Sequence, residues 1–334
     1  MRLIEKVWFE SNPAKWWLVP LLLPLSALFF ILSSFRRFAF NLGLSKSYSV
    51  KKPVIVVGNI GVGGNGKTPV VIHLVELAKK LCFTPGVISR GYGGKAESYP
   101  YALSEHSTTA QAGDEPILIF NRCRVPVVVG SDRVANAQKL IELGCDLIIS
   151  DDGLQHYRLK RDLELIVVDG KRLFGNGLLL PAGPLREGTW RLNSADIVIY
   201  NGECQTRGES SLMTLVATKL RHIQTGSEIS ITDFLANNAR VNAIAGIGSP
   251  QRFFDTLTHL GFNLVKQQGF IDHKSFTAND FNQFKGDLPL LMTEKDAVKC
   301  QEFAQENWWY LPVDAKFSEH DEQVLIQSIK RLAL

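Results

Sequence analysis

Two kinds of apolar pattern alternate along this chain. Short β-branched runs at 53–60, 84–89, 125–130, 145–150, 163–169 and 195–200 read as strands buried on both faces. Between them, apolar residues recur at helical spacing, from Pro69, from Asp114 and from Ser131 to about Leu143. Strands alternating with helices predict an α/β fold, a doubly wound and mostly parallel sheet. From about Ser211 the pattern changes. Short extended pieces at 214–218 and 228–231 read as a linker. A second α/β pattern restarts at Val241, with a helix to His259, strands at 262–265, 289–293 and 308–313, and a last amphipathic helix from Asp321. The expected organisation is an anchoring segment over 1–37, a large domain over 38–210, a linker over 211–236 and a smaller α/β domain over 237–334.

One run fits neither pattern. From Trp16 to Phe35 there is no charged residue, and a helix of that length about matches a bilayer core. Trp16 and Trp17 stand at one end, and Arg36 and Arg37 close the other. A membrane anchor is the favoured reading, with a buried core helix as the competitor. Pro20 and Pro24 would kink or tilt the helix, so full spanning and shallow insertion both stay open. Arg36, Arg37, Lys46, Lys51 and Lys52 put the remainder on the cytoplasmic side.

Composition adds bounds. A chain of 334 residues suggests two domains. The net charge of +4, with no basic tail, gives no reason to expect a nucleic-acid partner. Cys82, Cys123, Cys145, Cys204 and Cys300 are scattered without zinc or disulfide spacing, so free thiols in a reducing compartment are expected.

The chemistry begins after the first strand. Gly61-Val62-Gly63-Gly64-Asn65-Gly66-Lys67-Thr68 fits the P-loop pattern between a strand and a helix. Such glycines let backbone N–H groups turn toward phosphate oxygens, and the helix N-terminus adds positive charge. Lys67 would reach the β- and γ-phosphates of a nucleotide triphosphate, and the Thr68 hydroxyl would bind Mg²⁺. Downstream, 145–150 runs into Asp151-Asp152, as a Walker B strand does, and two adjacent carboxylates need a cation nearby. Arg90 and Tyr92 sit on a glycine-rich strand end, where parallel sheets bind ligands. Arg186, on a Pro/Gly-framed loop, is a candidate phosphate clamp. Asp114 and Glu115 precede Pro116 at a helix start, where N-capping is the plain structural reading of Asp114. His273, in an Asp-His pair, reads as structural by default.

Together these pieces resemble the tetraacyldisaccharide 4'-kinase (lipid A 4'-kinase) family of Gram-negative bacteria. The resemblance rests on the hydrophobic start, G-N-I-G-V-G-G-N-G-K-T-P at 58–69, S-R-G-Y-G at 89–93 and G-D-E-P at 113–116. It continues with S-D-D-G-L-Q-H at 150–156, P-A-G-P-L-R-E at 181–187, D-H at 272–273 and T-E-K-D-A-V-K at 293–299. It implies a P-loop NTPase-like kinase that moves the γ-phosphate of ATP onto the 4'-hydroxyl of a membrane-embedded acylated glucosamine disaccharide. By that resemblance Asp114 is the general base and His273 its partner from the second domain. Glu115, Asp151 and Asp152 organise Mg²⁺ and the phosphates, while Arg90, Tyr92 and Arg186 lie near the ligands. The bilayer and the lipid acceptor are the expected partners, with no obligate protein partner evident. A membrane-anchored regulatory P-loop NTPase is the alternative, and a soluble kinase for a small sugar or nucleoside is a third reading. The Thr293-Glu294-Lys295-Asp296 string lacks the N-K-x-D spacing of guanine-specific proteins, which argues against a GTPase.

Overall fold

The computed structural model describes residues 3–202, 210–284 and 286–333. Two helices, α1 (Leu3–Phe9) and α2 (Lys15–Asn41), come first. A large sheet then grows through β1 (Val54–Gly58), α3 (Lys67–Lys80), β2 (Pro85–Ser89), β3 (Tyr101–Ala102), α4 (Thr109–Ala112), α5 (Asp114–Cys123), β4 (Val127–Val129) and α6 (Arg133–Glu142). It continues with β5 (Leu147–Asp151), β6 (Leu163–Asp169), β7 (Ile197–Asn201) and β8 (Ser211–Val216). A second sheet takes β9 (Lys219–His222), β10 (Glu228–Ser230), α7 (Ile231–Asn237), β11 (Arg240–Ala245), α8 (Pro250–His259) and β12 (Asn263–Gly269). It is completed by β13 (Leu290–Thr293), α9 (Glu294–Cys300) and β14 (Trp308–Leu311), before β15 (Asp314–Phe317) and α10 (Glu319–Lys330).

The large sheet has the order β15-β8-β7-β6-β1-β5-β2-β4-β3. It is parallel from β8 to β4, with antiparallel strands β15 and β3 at its edges. β1 is buried along its whole length. Strand alternation sends Ile55 and Val57 to the core under α3 and α5, and Val54 and Val56 to the core under α6. β1 therefore has protein on both faces and a neighbouring strand on each side, β6 and β5. Chain order reverses across it, which makes its carboxyl end the switch point where open α/β sheets bind ligands.

The second sheet, β10-β9-β14-β13-β11-β12, buries one face under α8 and the other under α9 and an aromatic group that includes Phe276, Phe281 and Trp308. Its connection to the large sheet differs from the sequence expectation. Residues 211–236 are not a loose linker but hold β8, β9, β10 and most of α7. The chain end, expected with the smaller domain, returns to the large sheet. β15 pairs with β8, and Leu325 and Ile329 of α10 enter the core under α3. The reason is that β8 would otherwise be an open edge, and the apolar stripe of α10 has a place to bury there.

α2 is long and apolar enough to cross a membrane, and it is not a core helix: Ser26 is its one buried residue. Leu21, Ile31 and Phe35 stand out at 65%, 61% and 68% exposure. Both prolines lie inside it. Cys82, Cys123, Cys145 and Cys300 are free thiols, and Cys204 lies outside the described residues.

Gly58, the last residue of β1, shows how tightly this end of the sheet is built. A methyl group there would lie 2.5 Å from Leu154 Cβ and 3.1 Å from the Leu154 backbone nitrogen. Gly58→Ala is therefore expected to destabilise the fold by about 1–3 kcal/mol, because backbone must shift to accept it. Urea unfolding checks this; a wild-type midpoint would show that the turn yields freely.

Candidate active site

Past Gly58 the chain turns through the glycine loop and enters α3 at Lys67. Gly63 and Gly66 hold φ of +107° and +92°, where a side chain would be strained. Asn59 is buried beneath the loop. Its Nδ2 donates to Gly61 O at 2.6 Å, and its Oδ1 accepts from Lys67 Nζ at 3.1 Å. The 181–187 loop braces the same turn: Val62 N donates to Pro184 O at 2.9 Å and Arg186 N to Ile60 O at 2.7 Å.

β5 lies beside β1 and ends level with it, Asp151 opposite Val57. The Asp151 carboxylate is buried, and among the described residues its Oδ1 has no hydrogen-bond partner. Burial pushes its pKa up to about 7, with the Glu115 charge adding to the effect. Asp152 is next in the chain, in a left-handed conformation at φ 48°. Burial pushes its pKa up too, but the Lys67 and Arg186 cations outweigh that and hold it below the usual carboxylate range. Lys67 Nζ lies 3.5 Å from Asp152 Oδ1, and Arg186 Nη1 lies 3.3 and 3.2 Å from the two carboxylate oxygens. An orphaned buried carboxylate oxygen facing a P-loop suits a hard cation with oxygen ligands. Among the described residues no three His, Cys, Asp or Glu side chains gather closely enough to hold a metal alone. That fits Mg²⁺, which takes one or two carboxylates and fills its remaining positions from phosphate and water.

A second acidic pair opens α5. Gly113 occupies the N-cap position, and the Asp114 side chain does not cap the helix. Asp114 Oδ2 instead lies 3.3 Å from His273 Nδ1, on the loop after β12. His273 is left-handed at φ 60°, and its ring packs against Tyr92, centroids 5.2 Å apart. Glu115 Oε1 lies 3.3 Å from Lys295 Nζ. Both contacts join the large sheet's helix to the second sheet. Two further ion pairs cross the same cleft: Arg122 with Glu294 at 2.9 and 2.8 Å, and Arg252 Nη2 with Asp169 Oδ1 at 2.8 Å. Gly248 comes down on the glycine loop; a methyl group on it would lie 3.8 Å from Gly64 N.

The structure thus brings Lys67, Asp151, Asp152 and Arg186 into one cluster and Asp114, Glu115, His273 and Tyr92 into a second. Glu115 couples them through its field at Asp151. Arg90 is exposed at the end of β2, and Thr68 is the second residue of α3. Sequence reasoning leaves Asn59, Asp169, Arg252 and Lys295 without roles. Lys295 lies within the T-E-K-D-A-V-K string, a usable signal. Arg252 has none, since an arginine in an amphipathic helix reads as solvated surface.

The Asp151 shift carries a pH consequence. Its folded pKa of about 7 stands above the unfolded value of 3.8, so the folded protein binds the extra proton between those limits. Stability from this group is full below about pH 4 and declines as pH rises to about 7. His156, whose burial lowers its pKa to about 4, runs the other way. Comparison with Asp151→Asn isolates the effect: the variant should gain thermal stability over wild type as pH rises from 5 to about 7.5. A constant gap across that range would contradict the raised value.

Known proteins match this arrangement along nearly its whole length. The family model described as tetraacyldisaccharide-1-P 4'-kinase matches residues 18–332. The tetraacyldisaccharide 4'-kinase of Colwellia psychrerythraea is 65% identical over 331 residues, covering 98% of this chain and 96% of that protein. The Vibrio vulnificus protein of the same name is 50% identical, with the same coverage. The crystal structure of "apo" form LpxK from Aquifex aeolicus in complex with ATP superposes with a TM-score of 0.78 at 30% identity, covering 94% of this chain and 99% of that one. A match that takes in both sheets and the cleft between them leaves one conclusion: this chain belongs to the tetraacyldisaccharide-1-P 4'-kinase family.

Proposed function

We propose that this chain moves the γ-phosphate of ATP onto the 4'-hydroxyl of a tetraacylated glucosamine disaccharide 1-phosphate, a step in lipid A biosynthesis. Family membership supports the reaction, and the ATP in the Aquifex aeolicus structure supports the donor. The observation that carries the chemistry is the contact of Asp114 with His273 across the cleft. A carboxylate held there can accept the hydroxyl proton as the sugar oxygen bonds to the γ-phosphorus and the bond to the β-phosphate oxygen breaks, releasing ADP. His273 steadies that carboxylate.

The glycine loop and the start of α3 bind the donor phosphates through backbone N–H groups, and Lys67 offsets charge on the β- and γ-phosphates. Thr68 and Asp151 would hold Mg²⁺, with Glu115 and Asp152 nearby, and the ion when bound would add charge neutralisation on the transferring group. Arg186 keeps Asp152 in place, while Arg90 and Tyr92 border the cleft. The two lobes, meeting through ion pairs, exclude water and limit wasteful ATP hydrolysis.

The same reading puts the protein at the inner membrane with this cleft on the cytoplasmic face. The acceptor has four acyl chains and stays in the bilayer. α2 supplies the apolar surface, and Arg36, Arg37, Lys46, Lys51 and Lys52 favour the anionic cytoplasmic leaflet. Insertion from one face is favoured over spanning. Ser26 Oγ bonds Leu179 O at 3.0 Å and accepts from Ala182 N at 2.9 Å, and Arg37 stacks on Trp190 at 3.7 Å. Ser26 and Arg37 thus tie the helix to the protein body, which supports shallow insertion.

In detergent micelles with Mg²⁺, ATP and the disaccharide lipid, the wild-type chain should form the phosphorylated lipid, and Asp114→Ala should lower kcat by ~10²–10⁴-fold. Wild-type turnover in the variant would move the base elsewhere. Ile31→Glu with Phe35→Glu should shift most of the protein off vesicles in a flotation assay, since charge on the inserted face opposes insertion. Persistent binding would mean that another surface does the anchoring.

A further inference from the structure

We propose that Lys295 is a positioning residue for this reaction: its ammonium selects the ring tautomer of His273 that presents Nδ1–H to Asp114. The proposal rests on the functional reading above and assigns to Lys295 a role exerted through His273.

Lys295 is the second residue of α9, a helix whose start is set by Thr293, which accepts from Asp296 N. Its Nζ has three neighbours: Asp272 Oδ1 at 3.2 Å, Glu115 Oε1 at 3.3 Å and His273 Nε2 at 3.4 Å. An ammonium carries three N–H donors and no lone pair. Toward Lys295, therefore, Nε2 has to be the acceptor. The ring proton then sits on Nδ1 and donates to Asp114 Oδ2 at 3.3 Å.

The competing tautomer has a partner ready. Asp272 Oδ2 lies 3.9 Å from the same Nε2 and would draw a proton onto it. The Nδ1 lone pair would then face the Asp114 carboxylate, and two acceptors would repel. Lys295 stands between Asp272 and the ring and prevents this. The ring has little other freedom, being packed on Tyr92 from a left-handed backbone.

A latch between lobes would be the purely structural role for Lys295. The Arg122–Glu294 and Arg252–Asp169 pairs already join the lobes and would survive its loss. Removal of the Lys295 donor is thus expected to act on His273 rather than on closure.

The test uses the full chain in detergent with Lys295→Met and Lys295→Arg. Lys295→Met should lower kcat by about 10- to 100-fold, part of what a positioned base contributes, with KM for ATP nearly unchanged. Lys295→Arg keeps a charged donor and should stay closer to wild type. NMR of isotope-labelled histidine should show the Nδ1–H form of His273 in wild type and a shift toward Nε2–H in Lys295→Met. A wild-type kcat in Lys295→Met, or an unchanged tautomer, would overturn the proposal. Should the wild-type chain transfer no phosphate at all, the functional reading falls, and the tautomer measurement still decides the role of Lys295.

Discussion

Two adjacent carboxylates cannot both stay charged in a buried place without cations beside them, and much of this structure answers that constraint at Asp151 and Asp152. β5 carries them to the switch point of the sheet, level with the end of β1. Lys67 and Arg186 take Asp152 and keep it ionised. Among the described residues Asp151 Oδ1 has no hydrogen-bond partner, and burial raises the pKa of the group. One carboxylate is thereby paired with two cations, while its neighbour is held by burial and the Ser89 hydroxyl. The glycine loop, the 181–187 brace and the Asn59 side chain all serve to hold Lys67 where this division works.

The second acidic pair, Asp114 and Glu115, is handled differently. Its cationic and hydrogen-bonding partners come from the other lobe, as His273 and Lys295. The site is therefore complete only when the two sheets meet. Gly113 takes over the helix-capping position, which frees the Asp114 side chain from the role its place in the sequence suggests. The result is one acidic pair held within the large sheet and a second held across the cleft.

α2 connects this arrangement to the bilayer. Its single buried polar residue, Ser26, bonds the loop that also braces the glycine turn. The exposed apolar helix and the glycine loop are thus tied through one segment, 179–187.

Much was legible in the chain itself. Local patterns determined the α/β class, the P-loop between β1 and α3, the acidic end of β5 and the exposed apolar helix, because each depends on spacing within one element or one turn. The ordered motifs carried the family as well. What tertiary structure alone decided are pairings between residues far apart in sequence. That Asp114 meets His273, that Lys295 reaches Glu115 and that Arg252 reaches Asp169 depend on how two sheets pack. The same holds for 211–236 and for β15 and α10, whose short apolar stretches read alike as linker, edge or helix until a neighbour is there to bury them. Periodicity states which face an element must cover; only the packed chain determines what covers it.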